Sequence, residues 1–81
     1  MVYMFYTYVL ISEKDGQLYI GWSNDLANRI KDHKSGNVNS TKDRLPIKLI
    51  YYEACLSKEQ AIIREKQLKS GYGRKYLKHR L

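Results

Sequence analysis

The sequence predicts an α/β (α+β) protein whose small three-stranded antiparallel sheet is flanked by helices, in the order β-β-α-β-α with a short C-terminal helix. Three observations lead to this prediction. Short segments rich in aromatic and β-branched residues alternate with turn residues, two of these segments are close enough to form a hairpin, and helical periodicity follows a capping residue.

The first two strands are predicted to form a hairpin. Residues 3–11 contain no Gly or Pro and are dominated by aromatic and β-branched side chains, which is typical of a strand. Asp15-Gly16 supplies the positive φ that tight hairpins favour, and residues 17–22 make the return strand. Antiparallel pairing should then bring Tyr8 near Tyr19.

The first helix is expected over residues 25–34, with Ser23 or Asn24 as its N-cap and Gly36 at its end. Residues 37–46 are polar and are interpreted as a loop. The third strand is predicted over residues 47–53, where apolar and aromatic side chains return.

The second long helix is predicted from a capping box formed by Ser57 and Gln60, which lie three residues apart. Gly71 and Gly73 should break this helix. Residues 74–81 are then expected to form a short, frayed terminal helix.

Composition indicates one domain over residues 1–81, with its core in about residues 3–72. A chain of 81 residues buries only about 60–65% of its unfolded surface, so the core is thin. Hydrophobic residues make up 43% of the chain, which argues against disorder, and no apolar run approaches the ~20 residues that cross a bilayer. With no basic leader and a single cysteine, Cys55, we expect a cytoplasmic protein without a membrane partner.

The net charge of +7 is concentrated near the C-terminus. Residues 64–81 hold seven Lys or Arg and one acid, Glu65, which gives +6 of the +7. Such a segment is typical of phosphate-backbone binding, although a solvated helix face that keeps the protein soluble has the same composition. The candidate nucleic-acid contacts here are Lys69, Arg74, Lys75, Lys78 and Arg80.

Two tyrosine-centred motifs lie on the predicted hairpin, YTY at residues 6–8 and YIG at residues 19–21. Arg29 follows ten positions after the tyrosine of the second motif, and His33 four positions later. This constellation resembles the GIY-YIG nuclease domain and, among its members, the small stand-alone bacterial proteins. The first motif departs from the family pattern, since a tyrosine and a threonine replace its glycine and isoleucine.

Glu65 is a candidate metal ligand because of its place on the second long helix. At 100° per residue it lies on the apolar face defined by Ala61 and Leu68. A carboxylate on that face needs a metal or a basic partner, and a structural salt bridge to Arg29 or Lys48 is the alternative. The resemblance implies the metal role, because GIY-YIG domains carry a metal-binding glutamate on this helix, with Mg²⁺ or Mn²⁺ as the single ion.

Arg29 and His33 are one helical turn apart and share a face of the first helix. An arginine there can hold a phosphate bidentately and neutralise the charge that develops during phosphodiester cleavage. The alternative is an ordinary surface arginine. His33 could orient a tyrosine, help in proton transfer or simply cap the helix C-terminus.

Tyr8 and Tyr19 have ordinary pKa values near 10, so neither is a ready base at neutral pH. The resemblance implies that Tyr8 activates the attacking water and that Tyr19 positions it; the alternative is that both only pack in the strands. Gly21 is interpreted as a position where a side chain would block the substrate or the adjoining helix.

The sequence also departs from the family pattern in two other places. Some members carry an asparagine beyond the second helix, which residues 71–77 lack, and Trp22 stands where some members have a lysine. Trp22, Tyr72 and Tyr76 could instead stack on unpaired bases.

The predicted function is that of a divalent-metal-dependent endonuclease hydrolysing phosphodiester bonds in DNA, with structured or damaged DNA in repair or recombination as one substrate class. DNA is expected rather than RNA. Two alternatives stay open: a nucleic-acid-binding module without catalysis, and a nuclease subunit that is active only with a targeting protein partner.

Overall fold

A computed structural model describes residues 3–81, so Val2, at the start of the apolar N-terminal run, lies outside it. The strands are β1 (Phe5–Ser12), β2 (Leu18–Ser23) and β3 (Ile47–Cys55), and the helices are α1 (Leu26–Lys34), α2 (Lys58–Lys69) and α3 (Gly71–Arg80), with a short 3₁₀ helix at Lys42–Arg44. The predicted three-stranded antiparallel sheet, the order of the elements and the C-terminal helix are confirmed. None of the helices within this described part is long and apolar enough to cross a membrane.

Strand β1 lies at the centre of the sheet, in the order β2-β1-β3, with both neighbours antiparallel to it. Tyr8 pairs with Gly21 on β2, and Leu10 pairs with Tyr19. Because side chains alternate along a strand, Tyr8 and Tyr19 lie on the same face of the sheet. Their ring centroids are 6.4 Å apart, as the hairpin prediction required.

Helices cover both faces of the sheet, and each face has its own apolar cluster. Tyr8, Leu10 and Ile47 form the buried cluster on the face covered by α1, where Leu26 and Ile30 pack against it. The cluster on the other face, under α2 and α3, consists of Val9, Ile20, Leu68 and Leu77. This alternation of Tyr8 and Leu10 with Val9 places the two clusters on opposite sides of β1.

Helix α1 begins at Leu26, one residue later than predicted. Its N-cap is Asp25, whose side chain accepts a hydrogen bond from the Asn28 backbone N–H, and neither Ser23 nor Asn24 fills this role. Ser23 instead accepts from the Asp25 N–H at 2.9 Å, which turns the chain into the helix. Gly36 follows the helix with φ +82°, so the predicted stop is confirmed.

Helices α2 and α3 meet at a sharp corner around Ser70. Ser57 caps the start of α2 by accepting from the Gln60 N–H, as predicted. Ser70 ends α2 and caps α3 by accepting from the Gly73 N–H at 3.3 Å. The predicted break is therefore real, but α3 starts at Gly71, and the expectation that it starts at residue 74 was wrong.

Candidate active site

The Tyr8 hydroxyl is the point where three of the predicted site residues meet. Tyr8 is fully buried in the middle of β1. Its hydroxyl lies 2.9 Å from His33 Nε2, and Arg29 Nε donates a hydrogen bond to it at 3.4 Å. Both partners come from α1, whose i, i+4 spacing puts their side chains on one face toward the sheet.

Gly21 is the residue that leaves room for this hydroxyl. It lies opposite Tyr8 on β2, and a Cβ added there would be 2.6 Å from the Tyr8 hydroxyl oxygen and 2.7 Å from its Cζ. Real Cβ atoms essentially never come that close, so any other residue would displace the Tyr8 ring. Glycine is therefore required at this position for steric reasons. The group that a side chain would displace is the Tyr8 ring, whereas the sequence had suggested the substrate or the adjoining helix.

Tyr19 lines the same site from β2. Its ring centroid is 5.1 Å from that of His33, and its side chain is half-buried, whereas Tyr8 is fully buried. Of the two tyrosines, Tyr19 is therefore the one that solvent reaches directly.

His33 is itself fully buried, and both of its ring nitrogens have a hydroxyl partner. Nε2 faces Tyr8, and Nδ1 lies 2.7 Å from the Oγ1 atom of Thr41, which is also fully buried. Thr41 could not be predicted as a site residue from the sequence, because one threonine in a polar segment carries no signal of periodicity or spacing.

Burial and charge set the protonation states in this cluster. Burial raises the pKa of Tyr8, and the hydrogen bond from Arg29 opposes that shift only in part. Burial, with the positive charge of Arg29 as the second cause, lowers the pKa of His33 to about 4. The hydrogen bond to Tyr8 raises the pKa of Arg29. At neutral pH the cluster therefore holds a neutral phenol, a neutral imidazole and a guanidinium.

Glu65 extends from α2 with a side chain that is only 18% exposed. The structure pairs it with Lys69 at 3.7 Å, one turn further along the helix, instead of with Arg29 or Lys48. Its negative charge is close enough to contribute to the raised pKa of Tyr8. Glu65 thus lies on the helix that packs against β1 and β2, and its charge acts on the Tyr8 hydroxyl.

The donor set fits a hard divalent ion with one protein ligand. Within residues 3–81 no three His, Cys, Asp or Glu side chains are grouped closely enough to hold a metal by themselves. Mg²⁺, however, is commonly bound by one or two carboxylates together with substrate phosphate and water. A half-buried carboxylate with a single, long ion pair matches that chemistry.

The basic C-terminal segment is only partly free to meet a partner. Arg80 lies over the Tyr76 ring, with Cζ 4.1 Å from its centroid, and Arg64 lies over the same ring at 4.4 Å. Arg64 also makes an ion pair with Glu53 at 2.9 Å. The Tyr76 ring is therefore already covered by guanidinium groups, so the suggestion that it stacks on bases is not supported.

The remaining candidates for nucleic-acid binding differ in their surroundings. Arg74, Lys75 and Lys78 are exposed on α3 and make no ion pair with any residue in the described range. Lys69 is engaged by Glu65, and Trp22 is half-buried with Lys58 Nζ 5.5 Å from its ring centroid. Tyr72 is 65% exposed. Among these candidates, the cations without an ion pair in the described range are therefore the three on α3.

Comparison with known proteins identifies the family. A model of the GIY-YIG catalytic domain matches residues 4–77. A UPF0213 protein of Clostridium perfringens is 43% identical over 67 residues, 82% of this chain and 71% of that protein. A UPF0213 protein of Streptococcus pneumoniae is 45% identical over 65 residues, 79% of this chain and 65% of that protein. This chain thus spans about two thirds of the length of these two relatives.

A solved structure has the same fold. The solution NMR structure of a UPF0213 protein from Bacillus halodurans aligns with 91% of this chain and 81% of its own, at 36% identity and a TM-score of 0.55. The chain belongs to the GIY-YIG family, which is a family of nucleases, and it is similar to the small UPF0213 proteins within it.

Proposed function

We propose that this protein is a divalent-metal-dependent endonuclease that hydrolyses phosphodiester bonds in DNA, with structured or damaged DNA as its substrate class. Membership of a nuclease family supports the reaction type. The observation that supports it most strongly is the buried Tyr8 hydroxyl, which contacts both a guanidinium and a neutral imidazole. These groups match the two requirements of the reaction, charge neutralisation and proton transfer.

Arg29 binds the scissile phosphate in this proposal. Its guanidinium is half-buried and, within residues 3–81, donates a long hydrogen bond of 3.4 Å to Tyr8, which leaves other N–H groups that can meet phosphate oxygens. Phosphoryl oxygens gain negative charge in the transition state, and a guanidinium bound to them stabilises that charge.

Tyr8 and His33 together accept the proton of the attacking water. The water gives its proton to the Tyr8 oxygen while the phenolic proton passes to His33 Nε2, 2.9 Å away. The low pKa of His33, about 4, keeps this nitrogen unprotonated at neutral pH. A bound phosphate would offset the charge of Arg29, which is one cause of that low pKa, and so make His33 a better base as the substrate enters.

Access to Tyr8 depends on a neighbouring side chain moving, because Tyr8 is fully buried. Arg29 is the neighbour best suited to move, since a guanidinium that turns toward a phosphate releases its bond to the hydroxyl. Tyr19, on the solvent side of the cluster, then positions the water beside it.

Glu65 would hold the metal ion, with substrate phosphate and water as further ligands. Mg²⁺ or Mn²⁺ bound there supplies Lewis-acid stabilisation of the phosphate and of the leaving oxygen. The pairing with Lys69 neutralises the carboxylate of Glu65 until that ion is bound.

A cleavage screen tests the proposed function. Purified protein is incubated with end-labelled duplex, nicked, branched and flapped DNA and with matched RNA, in Mg²⁺, in Mn²⁺ and in EDTA. Metal-dependent cuts in DNA that disappear in Arg29→Ala support the proposal. Binding without any cut under all conditions would identify a nucleic-acid-binding module instead, and cuts in RNA alone would overturn the choice of DNA.

A further inference from the structure

Thr41 is the only described residue that contacts the second nitrogen of His33 through a hydrogen bond. Its Oγ1 lies 2.7 Å from Nδ1, and both residues are fully buried. On the other side of the ring, Nε2 faces the Tyr8 hydroxyl at 2.9 Å. The imidazole therefore lies between two hydroxyl groups, and the position of its single proton decides which way each hydrogen bond runs.

The Tyr8 hydroxyl favours one position for that proton, because a phenol is a stronger hydrogen-bond donor than the aliphatic hydroxyl of Thr41. Its oxygen accepts a hydrogen bond from Arg29 Nε, and its own hydrogen needs an acceptor because the whole residue is buried. Within residues 3–81 the acceptor in reach is His33 Nε2. A nitrogen that accepts carries no proton, so the proton of the neutral ring is on Nδ1 and points at Thr41.

The fold holds Thr41 firmly in that place. Its backbone N–H donates to the carbonyl of Val38, which is itself buried, and its carbonyl accepts from the Arg44 N–H at 2.9 Å. The carbonyl of Arg44 accepts in turn from the buried Ser12 hydroxyl at 2.7 Å, which ties the segment to the end of β1. The polar segment predicted as a loop is therefore anchored on both sides of Thr41.

We propose that Thr41 is a positioning residue that holds His33 as the tautomer protonated at Nδ1, so that Nε2 is free to accept the phenolic proton of Tyr8. This inference rests on the proposed function, because it assigns the direction of proton transfer in the same site. Thr41 does not touch the substrate. It acts through His33, as the carbonyl or carboxylate partners of other functional histidines do.

Loss of the Thr41 hydroxyl would leave a buried Nδ1–H without an acceptor, which is costly. Without that acceptor the Nδ1–H form loses its advantage, so the ring shifts toward the form protonated at Nε2, which donates to the Tyr8 oxygen and leaves the phenolic hydrogen of Tyr8 without its acceptor. In that tautomer His33 cannot accept a proton from Tyr8, so the transfer is blocked while the fold and the Arg29 contact persist. Thr41→Val nearly preserves the volume and removes the hydroxyl, whereas Thr41→Ser keeps the hydroxyl.

The tautomer is measured by two-bond ¹H–¹⁵N correlation spectra of the imidazole rings at pH 7.5, in the ¹⁵N-labelled 9.6 kDa protein. His79→Gln assigns the signals, because His33 and His79 are the two histidines of the chain. We expect the Nδ1–H pattern for His33 in the wild type and in Thr41→Ser, and a shift to Nε2–H in Thr41→Val. An Nε2–H pattern in the wild type, or an unchanged spectrum in Thr41→Val, overturns the proposal.

Cleavage kinetics provide the second measurement. We expect kcat of Thr41→Val to fall about 10- to 100-fold with KM nearly unchanged, and Thr41→Ser to stay near the wild type. If Thr41→Val does not fold, the wild-type spectrum and that of Thr41→Ser still decide the tautomer. A protein that cuts no substrate refutes the proposed function but not the tautomer, whereas full activity in a folded Thr41→Val refutes the positioning role alone.

Discussion

At the scale of single residues, the contact between Tyr8 and Gly21 links the packing of the sheet to the chemistry of the site. Tyr8 is one of the largest fully buried side chains, so it supports the cluster under α1 as well as carrying the central hydroxyl. Its ring fits only because the residue opposite has no Cβ. Stability and activity should therefore both respond to substitutions at this pair.

Gly21→Ala should displace the Tyr8 ring and lengthen its hydrogen bonds. We expect a loss of about 1–3 kcal/mol in the free energy of unfolding, the usual cost of overpacking a core, and a clear loss of cleavage. Urea unfolding measures the first effect. Gly71→Ala is the matched control, because a Cβ at that position meets no heavy atom within 4 Å. Equal stability of the two variants would contradict this account of Gly21.

The pH dependence of stability should reveal the buried His33. Its pKa is lowered to about 4, whereas the unfolded chain has a value near 6.5. As pH falls below 6.5 the unfolded state binds the proton first, so the folded state loses stability down to about pH 4. Between pH 7 and pH 5 the loss is at most about 2 kcal/mol. In His33→Gln the urea midpoint should fall less over this range; an identical fall would show that His33 is not the group responsible.

Two kinds of signal in the sequence made site residues predictable: the spacing of motifs and the geometry of a helix. The resemblance to the GIY-YIG domain singles out Tyr8, Gly21, Arg29 and His33. Their i, i+4 spacing then places Arg29 and His33 on one face of α1, and the hairpin pairs Tyr8 with Gly21. Thr41 could not be found in this way. Its contact with His33 depends on how a polar segment folds back over α1, and no local pattern in the chain encodes that path.

At the scale of elements, the corner between α2 and α3 sets the position of the basic helix relative to Glu65. Gly73 occupies the first turn of α3, and a Cβ there would collide with backbone atoms of Leu68 and Gln67. The two helices can pack this closely only with glycine at that position. The corner thus fixes how far the free cations of α3 lie from the rest of the site.

Gly73→Ala should open this corner. Because the colliding atoms belong to the backbone, side-chain rotation cannot relieve the contact, and we expect a loss of about 1–3 kcal/mol in the free energy of unfolding. Thermal unfolding with calorimetry measures it, with Gly71→Ala again as the control. A Gly73→Ala protein as stable as that control would show that α3 does not depend on this close approach.

Local sequence signals predicted the elements well and their ends less well. Strand β3 and helix α2 appear at their predicted places, but Asp25 caps α1 in place of its two polar neighbours. All three residues are good N-caps, so the outcome is decided by how the chain leaves β2. The start of α3 was missed for a similar reason, since the tertiary contact of Gly73 outweighs its low helix propensity.

At the scale of the whole molecule, charge is unevenly distributed. We therefore expect nucleic-acid binding and the cleavage reaction to depend on different parts of the protein. Most of the net +7 belongs to the last quarter of the chain, and three of the exposed cations there, Arg74, Lys75 and Lys78, lie on α3. The groups proposed for the reaction lie on β1, β2, α1 and α2. Affinity for a phosphate backbone and the rate of cleavage should therefore respond to different substitutions.

Lys75→Ala with Lys78→Ala should weaken nucleic-acid binding about equally for different sequences. For duplex DNA the slope of log K against log salt changes by roughly 0.9 for each phosphate contact, so the slope should decrease by up to about two. Fluorescence anisotropy over a salt series measures it. Lys42→Ala with Lys48→Ala removes the same charge elsewhere and should leave the slope nearly unchanged. An unaltered slope in the α3 variant would mean that this helix is only a solvated face.

The most direct test of the central claim compares Glu65→Gln with Glu59→Gln in binding and cleavage under Mg²⁺ or Mn²⁺. Both residues are glutamates of α2, but Glu65 is half-buried and its charge acts on Tyr8, whereas Glu59 is exposed in the first turn. We expect Glu65→Gln to bind DNA as the wild type does and to cleave it at least about 100-fold more slowly, because a metal contributes several kcal/mol to the transition state. Glu59→Gln should keep full activity. Wild-type cleavage by Glu65→Gln would contradict the assignment of this site.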